Sequence, residues 1–284
     1  MMAFKPVTYP SYAKINLFLH ITSKRDDGYH NLQTWFQFID LKDFLYFSFT
    51  EDHQINLSSN VNISQKEDNL IYKAALALKP FAKAHTGIDI HIDKNIPMGA
   101  GLGGGSSNAA TTLIALNTLW QCHLANEQLH KIGRNLGADV PIFLLQQAAW
   151  AEGIGEILTP KAYIEQYALI IKPDFHASTQ ELFNHPLLNK NKALLNHREI
   201  TNPLAHDNVF LEVIQKLYPK VWQNLQTLPN AQALRLTGSG ACFYLLSTDY
   251  NQLLQNQKKL EKDVDSWIVK TLNFAPVERC QPLN

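Results

Sequence analysis

The sequence predicts an α+β protein of two domains meeting at a cleft, and three observations carry that expectation. Over residues 12–21 the chain alternates, with Ala13, Ile15, Leu17, Leu19 and Ile21 on one side and Lys14, Asn16, Phe18 and His20 on the other. Period two over ten residues marks a strand with one buried apolar face. Next, five of the seven residues 99–105 are glycine, and a helix rich in Ala and Leu follows at once. Finally, Thr159-Pro160-Lys161 reads as a boundary after which a second set of strands and helices begins. Residues 1–158 are therefore expected to form an N-terminal domain carrying the glycine loop, and 159–284 a C-terminal domain contributing to the substrate site.

The remaining elements follow in order. Arg25-Asp26-Asp27-Gly28 is turn chemistry, and short strands are expected at 33–39, 44–49 and 54–57, closely spaced and antiparallel. Asp68-Asn69 can cap a helix through residue 84, and 88–92 alternates as a strand. A helix over 106–121 follows the glycine run; another, capped by Asn126, ends at Gly137, and Asp139 lies between it and an apolar strand at 141–145. In the second half, strands are expected at 167–172, 233–236 and 266–271, helices at 208–217 and 252–262, and a turn over 236–242. The polar stretch 184–202 reads as a loop.

Lys plus Arg (25) balances Asp plus Glu (25), and the isoelectric point is near 7.2. No broad basic field is available for nucleic acid or an anionic membrane, so phosphate recognition must come from local devices. Cys122, Cys242 and Cys280 lie far apart without CxxC spacing, which suits reduced thiols in a cytoplasmic protein. The first residues contain no continuous apolar run, and nothing later approaches a membrane span, so neither leader nor membrane partner is expected. The eleven histidines show no HExxH or similar spacing, so no metal held wholly by protein ligands is expected either.

A run of glycines costs roughly 0.5–1 kcal/mol per residue relative to alanine in regular structure, so it implies positive φ or close approach of another molecule. Here it leads into Ser106-Ser107-Asn108, good cap residues opening a strong helix. Exposed amides at the positive end of a helix dipole make an anion site, and phosphate is the natural ligand. A flexible linker is the bland alternative, but Pro97 and Leu102 are poor linker residues. Gly99, Gly101 and Gly104 match the spacing of a dinucleotide fingerprint, yet Pro97 precedes them and the nearby acid, Glu127, falls in an expected helix. No Gly-Lys-Ser/Thr closes a P-loop, and the protein-kinase signatures are absent.

Three segments point to another scheme: Tyr12-Ala13-Lys14-Ile15-Asn16-Leu17, Pro97-Met98-Gly99-Ala100-Gly101-Leu102-Gly103-Gly104-Gly105-Ser106-Ser107, and Leu236-Thr237-Gly238-Ser239-Gly240-Ala241-Cys242. In this order and spacing they resemble the GHMP kinase superfamily. Gly28-Tyr29-His30-Asn31-Leu32-Gln33, Glu67-Asp68-Asn69-Leu70-Ile71 and Gly137-Ala138-Asp139-Val140-Pro141 narrow the resemblance to the branch whose acceptor is a cytidine diphosphate sugar alcohol of non-mevalonate isoprenoid synthesis. The resemblance implies the two-domain fold of that superfamily, transfer of the ATP γ-phosphoryl group to the acceptor's 2-hydroxyl, and Mg²⁺ with the nucleotide. It implies Lys14 and Asp139 as the catalytic pair, and Asn69, Leu70, Lys94 and residues 97–107 around ATP. Tyr29, His30 and Phe183 would hold the cytosine ring, and Asn16 would contact the substrate. A monomer or weak homodimer is expected.

Each residue also has a plainer reading. A strand lysine usually faces solvent, an Asp between two elements is often a turn residue, and Tyr29 can be a half-buried loop aromatic. Ser106 and Ser107 can be simple caps, and Gly238 and Gly240 a simple turn. For catalysis, an ordinary carboxylate and an alcohol differ by about 12 pKa units, or ~16 kcal/mol. A turnover of about 1–100 s⁻¹ allows a total barrier of only ~15–17 kcal/mol. An aspartate at position 139 is thus expected to orient the hydroxyl and take its proton late. Other readings are a superfamily kinase for homoserine or mevalonate and a ligand-sensing homologue without turnover.

Overall fold

Two long antiparallel strands organise the computed structural model, which describes residues 6–63, 66–83 and 87–280. In chain order the elements are β1 (Val7–Lys24), β2 (His30–Thr50), β3 (Ile55–Ser59), α1 (Leu70–Leu78), β4 (Gly87–Asp93) and α2 (Gly104–Leu119). Next come α3 (Asn126–Leu136), α4 (Val140–Leu145), β5 (Ala149–Glu152), β6 (Ile157–Pro160), β7 (Tyr167–Lys172) and α5 (Thr179–Asn184). The chain continues through α6 (Leu211–Leu217), α7 (Pro219–Leu225), β8 (Arg235–Leu236), β9 (Phe243–Ser247), α8 (Tyr250–Gln257) and β10 (Asp265–Leu272). The strands run β3-β4-β2-β10-β7-β9-β8, with β1 on β2 and β5 bridging β2 to β6. β3 and β4 pair in parallel; the other pairs are antiparallel.

Three apolar clusters fill the protein. α1, α2 and α4 pack on β2 and β4 through residues such as Ile71, Leu113, Ile142 and Phe47. Leu169, Phe243, Phe210 and Val213 build a second cluster beneath α6. A third, with Ile15, Leu17, Trp35, Trp150, Ile170 and Tyr244, joins the two halves of the sheet and takes in Ala100 and Leu102 of the glycine loop.

The α+β class and most expected elements are present, with five differences. The strands expected at 33–39 and 44–49 are one strand, β2, running through a polar interruption at Asp40, Lys42 and Asp43. β3 is parallel to its neighbour, not antiparallel. The apolar run 141–145 is a helix, α4, because Pro141 suits a first helical turn and both α2 and α3 pack against it. The expected helix cap at Asn126 shifts as well: Ala125, not Asn126, is the N-cap of α3, and its amide donates to Gln128 Oε1 at 2.9 Å. The helix expected to reach residue 84 ends at Leu78, followed by a 3₁₀ turn to Phe81; residue 84 itself lies outside the described residues. Among the described residues no helix is long and apolar enough to cross a membrane.

Candidate active site

β4 ends at Asp93, and the chain runs through the glycine loop into α2. Ala100 and Leu102 are buried and peg the loop to the core between the two sheet halves. Burying a leucine stabilises by about 1.5–3 kcal/mol, enough to hold a segment that glycine alone would leave loose. Between and on either side of the pegs the chain must turn the wrong way: φ is +62° at Gly99, +74° at Gly101 and +73° at Gly103. Gly101 also packs against the third motif, where a Cβ would lie 2.2 Å from the Thr237 carbonyl oxygen. Gly238 faces it, and a Cβ there would come within 2.9 Å of Gly101 Cα. The two glycine motifs are thus back-to-back. Gly103 is the N-cap of α2 and supplies no side-chain cap, which leaves the first amides of a long helix for a ligand.

A buried carboxylate braces the loop from below. Asp43 is fully enclosed; its Oδ1 accepts from the amides of Asn95 and Ile96, both at 2.7 Å. Its Oδ2 accepts from Lys94 Nζ at 2.6 Å and Asn108 Nδ2 at 2.8 Å. Asp43 therefore ties β2 to the entry of the loop and to the second turn of α2. Lys94 also donates to the Ile96 carbonyl at 2.9 Å, and its ammonium lies beneath Gly104. Nothing in the sequence marks Asp43, which reads as a turn residue between short strands.

On β1 the side carrying Lys14 and Asn16 is buried as well, contrary to a single buried face, because the loop and third motif cover it. Lys14 Nζ donates to Asn16 Oδ1 at 2.7 Å and to the Gly101 carbonyl at 3.1 Å, and stands 3.4 Å from Asp139 Oδ2. Asp139 is the N-cap of α4, fixed by Gly137 before it and Pro141 after it, and is about one-third exposed (35%). Asn16 is enclosed by protein partners: its Nδ2 donates to Thr34 Oγ1 at 2.8 Å, and its Oδ1 accepts from the Gly238 amide at 3.1 Å. Ser106 borders the open space, whereas Ser107 is buried and donates to the Tyr12 carbonyl at 2.6 Å.

Two cavities flank the loop. One, of about 400 Å³, is lined by Asn69, Leu70, Lys94, Met98, Gly104 and Gly105 among others. Asn69 is placed there as the N-cap of α1, its side chain accepting from the Ile71 amide at 2.9 Å. The other, of about 590 Å³, is lined by Lys14, Asn16, Thr34, Asp139, His176 and Phe183 among others. Gly99, Gly101, Gly103 and Ser106 belong to both walls. On Phe183, which lines the larger cavity, His30 stacks with centroids 5.2 Å apart and planes 25° apart, and Phe210 meets Phe183 edge-on at 5.0 Å. His30 Nε2 is buried without a partner, and burial, aided by Lys190 and Lys24, pulls the imidazole pKa below its ordinary value. Tyr29 is adjacent in sequence and 60% exposed.

A loop offering helix-terminal amides between two cavities, with an ammonium and a carboxylate beside it, defines a small-molecule phosphotransferase of the kinase class. Residues 69–147 match the family described as GHMP kinases N terminal domain. A 4-diphosphocytidyl-2-C-methyl-D-erythritol kinase of Francisella tularensis is 52% identical over 279 residues, covering 97% of this chain and all of its own. One from Marinomonas is 44% identical, covering 94% of this chain and 88% of its own length. A crystal structure of a 4-(cytidine 5'-diphospho)-2C-methyl-D-erythritol kinase superposes with a TM-score of 0.79 at 29% identity, over 93% of this chain and 98% of the other. The chain belongs to the GHMP kinases, in the family of the 4-diphosphocytidyl-2-C-methyl-D-erythritol kinases. It is accordingly an ATP-using kinase with a small-molecule substrate.

Proposed function

We propose that this chain transfers the γ-phosphoryl group of ATP to the 2-hydroxyl of 4-diphosphocytidyl-2-C-methyl-D-erythritol, with the nucleotide in the smaller cavity and the acceptor in the larger. The observation that carries this is the shared wall of Gly99, Gly101, Gly103 and Ser106, through which a phosphoryl group passes from one cavity to the other. Residues 1–158 and 159–284 are the two lobes of this reading, and the acceptor cavity draws on both.

In the nucleotide cavity, the amides of α2 and its dipole bind the polyphosphate, while Asn69, Leu70, Lys94 and Met98 line the space around it. In the acceptor cavity, Asp139 orients the hydroxyl and receives its proton as the loose transition state forms. Lys14 stands 3.4 Å from that carboxylate and neutralises charge developing on the transferring oxygens. Asn16 fixes the ammonium through its 2.7 Å hydrogen bond. The cytosine ring stacks on Phe183, behind which His30 packs with a buried Nε2 that has no protein partner. Tyr29 lies one residue away to complete the stack.

Among the described residues no three His, Cys, Asp or Glu side chains converge on a metal position. The Ser106 hydroxyl borders both cavities, and this sparse protein oxygen supply fits Mg²⁺, which usually takes one or two protein oxygens beside phosphates and water. The ion would neutralise charge on the bridging phosphate oxygens. The test is phosphoryl transfer from ATP to 4-diphosphocytidyl-methylerythritol, run beside mevalonate and homoserine. Selective turnover of the cytidyl acceptor is expected, and preference for either of the others overturns the substrate assignment.

A further inference from the structure

The acceptor cavity is short of positive charge for the molecule it is proposed to hold. An acceptor carrying a diphosphate brings two negative charges, yet among the described residues the titratable side chains lining the cavity are Lys14, Asp139 and His176, with His30 stacked on the lining residue Phe183. Lys14 stands against Asp139 and is bonded to Asn16 and Gly101, so it serves the transfer end. His176 meets the start of the glycine loop: its ring lies 3.8 Å from where a Cβ on Gly99 would be. It borders the acceptor cavity and is absent from the wall of the nucleotide cavity.

The backbone around His176 is held in place while its ring is exposed. Tyr218 donates its hydroxyl to the His176 carbonyl at 2.8 Å, and its ring packs on Phe175 with centroids 4.4 Å apart. Two residues on, Ser178 caps α5, and Thr179 Oγ1 lies 2.7 Å from Ser239 Oγ of the third motif. His176, Ser178, Thr179 and Ser239 line the same cavity as Phe183, which carries the His30 stack, and the Lys14–Asp139 pair. A diphosphate joining a stacked base to a reacting alcohol in this cavity needs such polar lining along its path.

We infer that His176 is a specificity-determining residue that donates a hydrogen bond to the acceptor's diphosphate. This inference rests on the proposed acceptor. A hydrogen bond to a charged group is generally worth enough to move affinity by about tenfold or more. The experiment is steady-state kinetics of the full chain with His176→Ala and His176→Gln, plus calorimetric binding of cytidine diphosphate and of cytidine. His176→Ala raises the acceptor KM about tenfold with kcat and the ATP KM within twofold of wild type, and His176→Gln, which keeps a donor, recovers part of the loss. Cytidine diphosphate binding weakens in parallel, while cytidine binding does not change. An unaltered acceptor KM, a shift in the ATP KM instead, or equal losses for cytidine and its diphosphate overturns the inference. Failure of the wild-type chain to phosphorylate the cytidyl acceptor would be read first and separately, and would strike the proposed function itself.

Discussion

Replacing Gly105 with alanine should make the protein more stable and a poorer ATP binder. Gly105 is the second residue of α2, its φ is not left-handed, and a Cβ there would meet only Leu70 Cδ1 at 3.9 Å, an ordinary contact. The protein alone gives no reason for glycine at this position. Removing it should stabilise the helix by about 0.5–1 kcal/mol and raise Tm by ~1–3 °C. The same residue lines the nucleotide cavity, where a phosphate oxygen would sit about 2.9 Å from its amide. A methyl group on the adjacent Cα crowds that oxygen and weakens one charge-assisted hydrogen bond, worth about 1.5–3 kcal/mol. The ATP KM should therefore rise roughly 10- to 100-fold. Gly101→Ala provides the contrast, because it forces a left-handed alanine, costing about 1–2 kcal/mol, and drives a Cβ to 2.2 Å from the Thr237 carbonyl. That variant should lose stability and activity together. Urea unfolding and ATP kinetics on both variants decide the matter. A stabilised Gly105→Ala protein with an unchanged ATP KM would refute the placing of phosphates against the first amides of α2.

Asp139→Asn should lower kcat by orders of magnitude while ATP binding stays within about twofold; a nearly wild-type kcat removes Asp139 from the chemistry. Asp43→Ala leaves the enclosed Lys94 ammonium without its 2.6 Å partner and should cost about 3–5 kcal/mol in urea unfolding, whereas a loss under 1 kcal/mol would mean the brace is dispensable. For His30, burial favours the neutral ring, so the folded-state pKa lies below the unfolded value of about 6.5. Its contribution to stability is then complete above about pH 6.5 and is lost as the pH falls through the lower folded value. The acceptor KM should stay flat from pH 8 to 6.5 and rise only below that, and an NMR titration midpoint above 6.5 for His30 would contradict this.

Local chemistry made much of the fold readable. The strand β1, the Asn69 cap, the glycine that ends α3 and the glycine run before α2 each follow from signals over a few residues, and the structure has each of them, although it buries both faces of β1 rather than one. Short apolar runs were ambiguous: Pro141-Ile142-Phe143-Leu144-Leu145 suits a strand as well as a helix, and only packing against α2 and α3 makes it α4. Likewise, Asp40, Lys42 and Asp43 look like a break in a strand. β2 continues through them because Asp43 finds four partners, from Lys94 to Asn108, that lie more than fifty residues ahead in the chain.

The same division holds for the site. By itself the sequence determined that a glycine-rich turn would end in helix amides, and so that something anionic would be bound there, because backbone strain and helix dipoles depend on neighbouring residues. Tertiary structure decided what surrounds that turn: the Gly101–Gly238 contact, the 3.4 Å approach of Lys14 to Asp139, the stacking of His30 on Phe183, and the setting of His176 beside Gly99. Those pairs are brought together by burial of the apolar cluster joining the two halves of the sheet, a force with no directional code in any single segment.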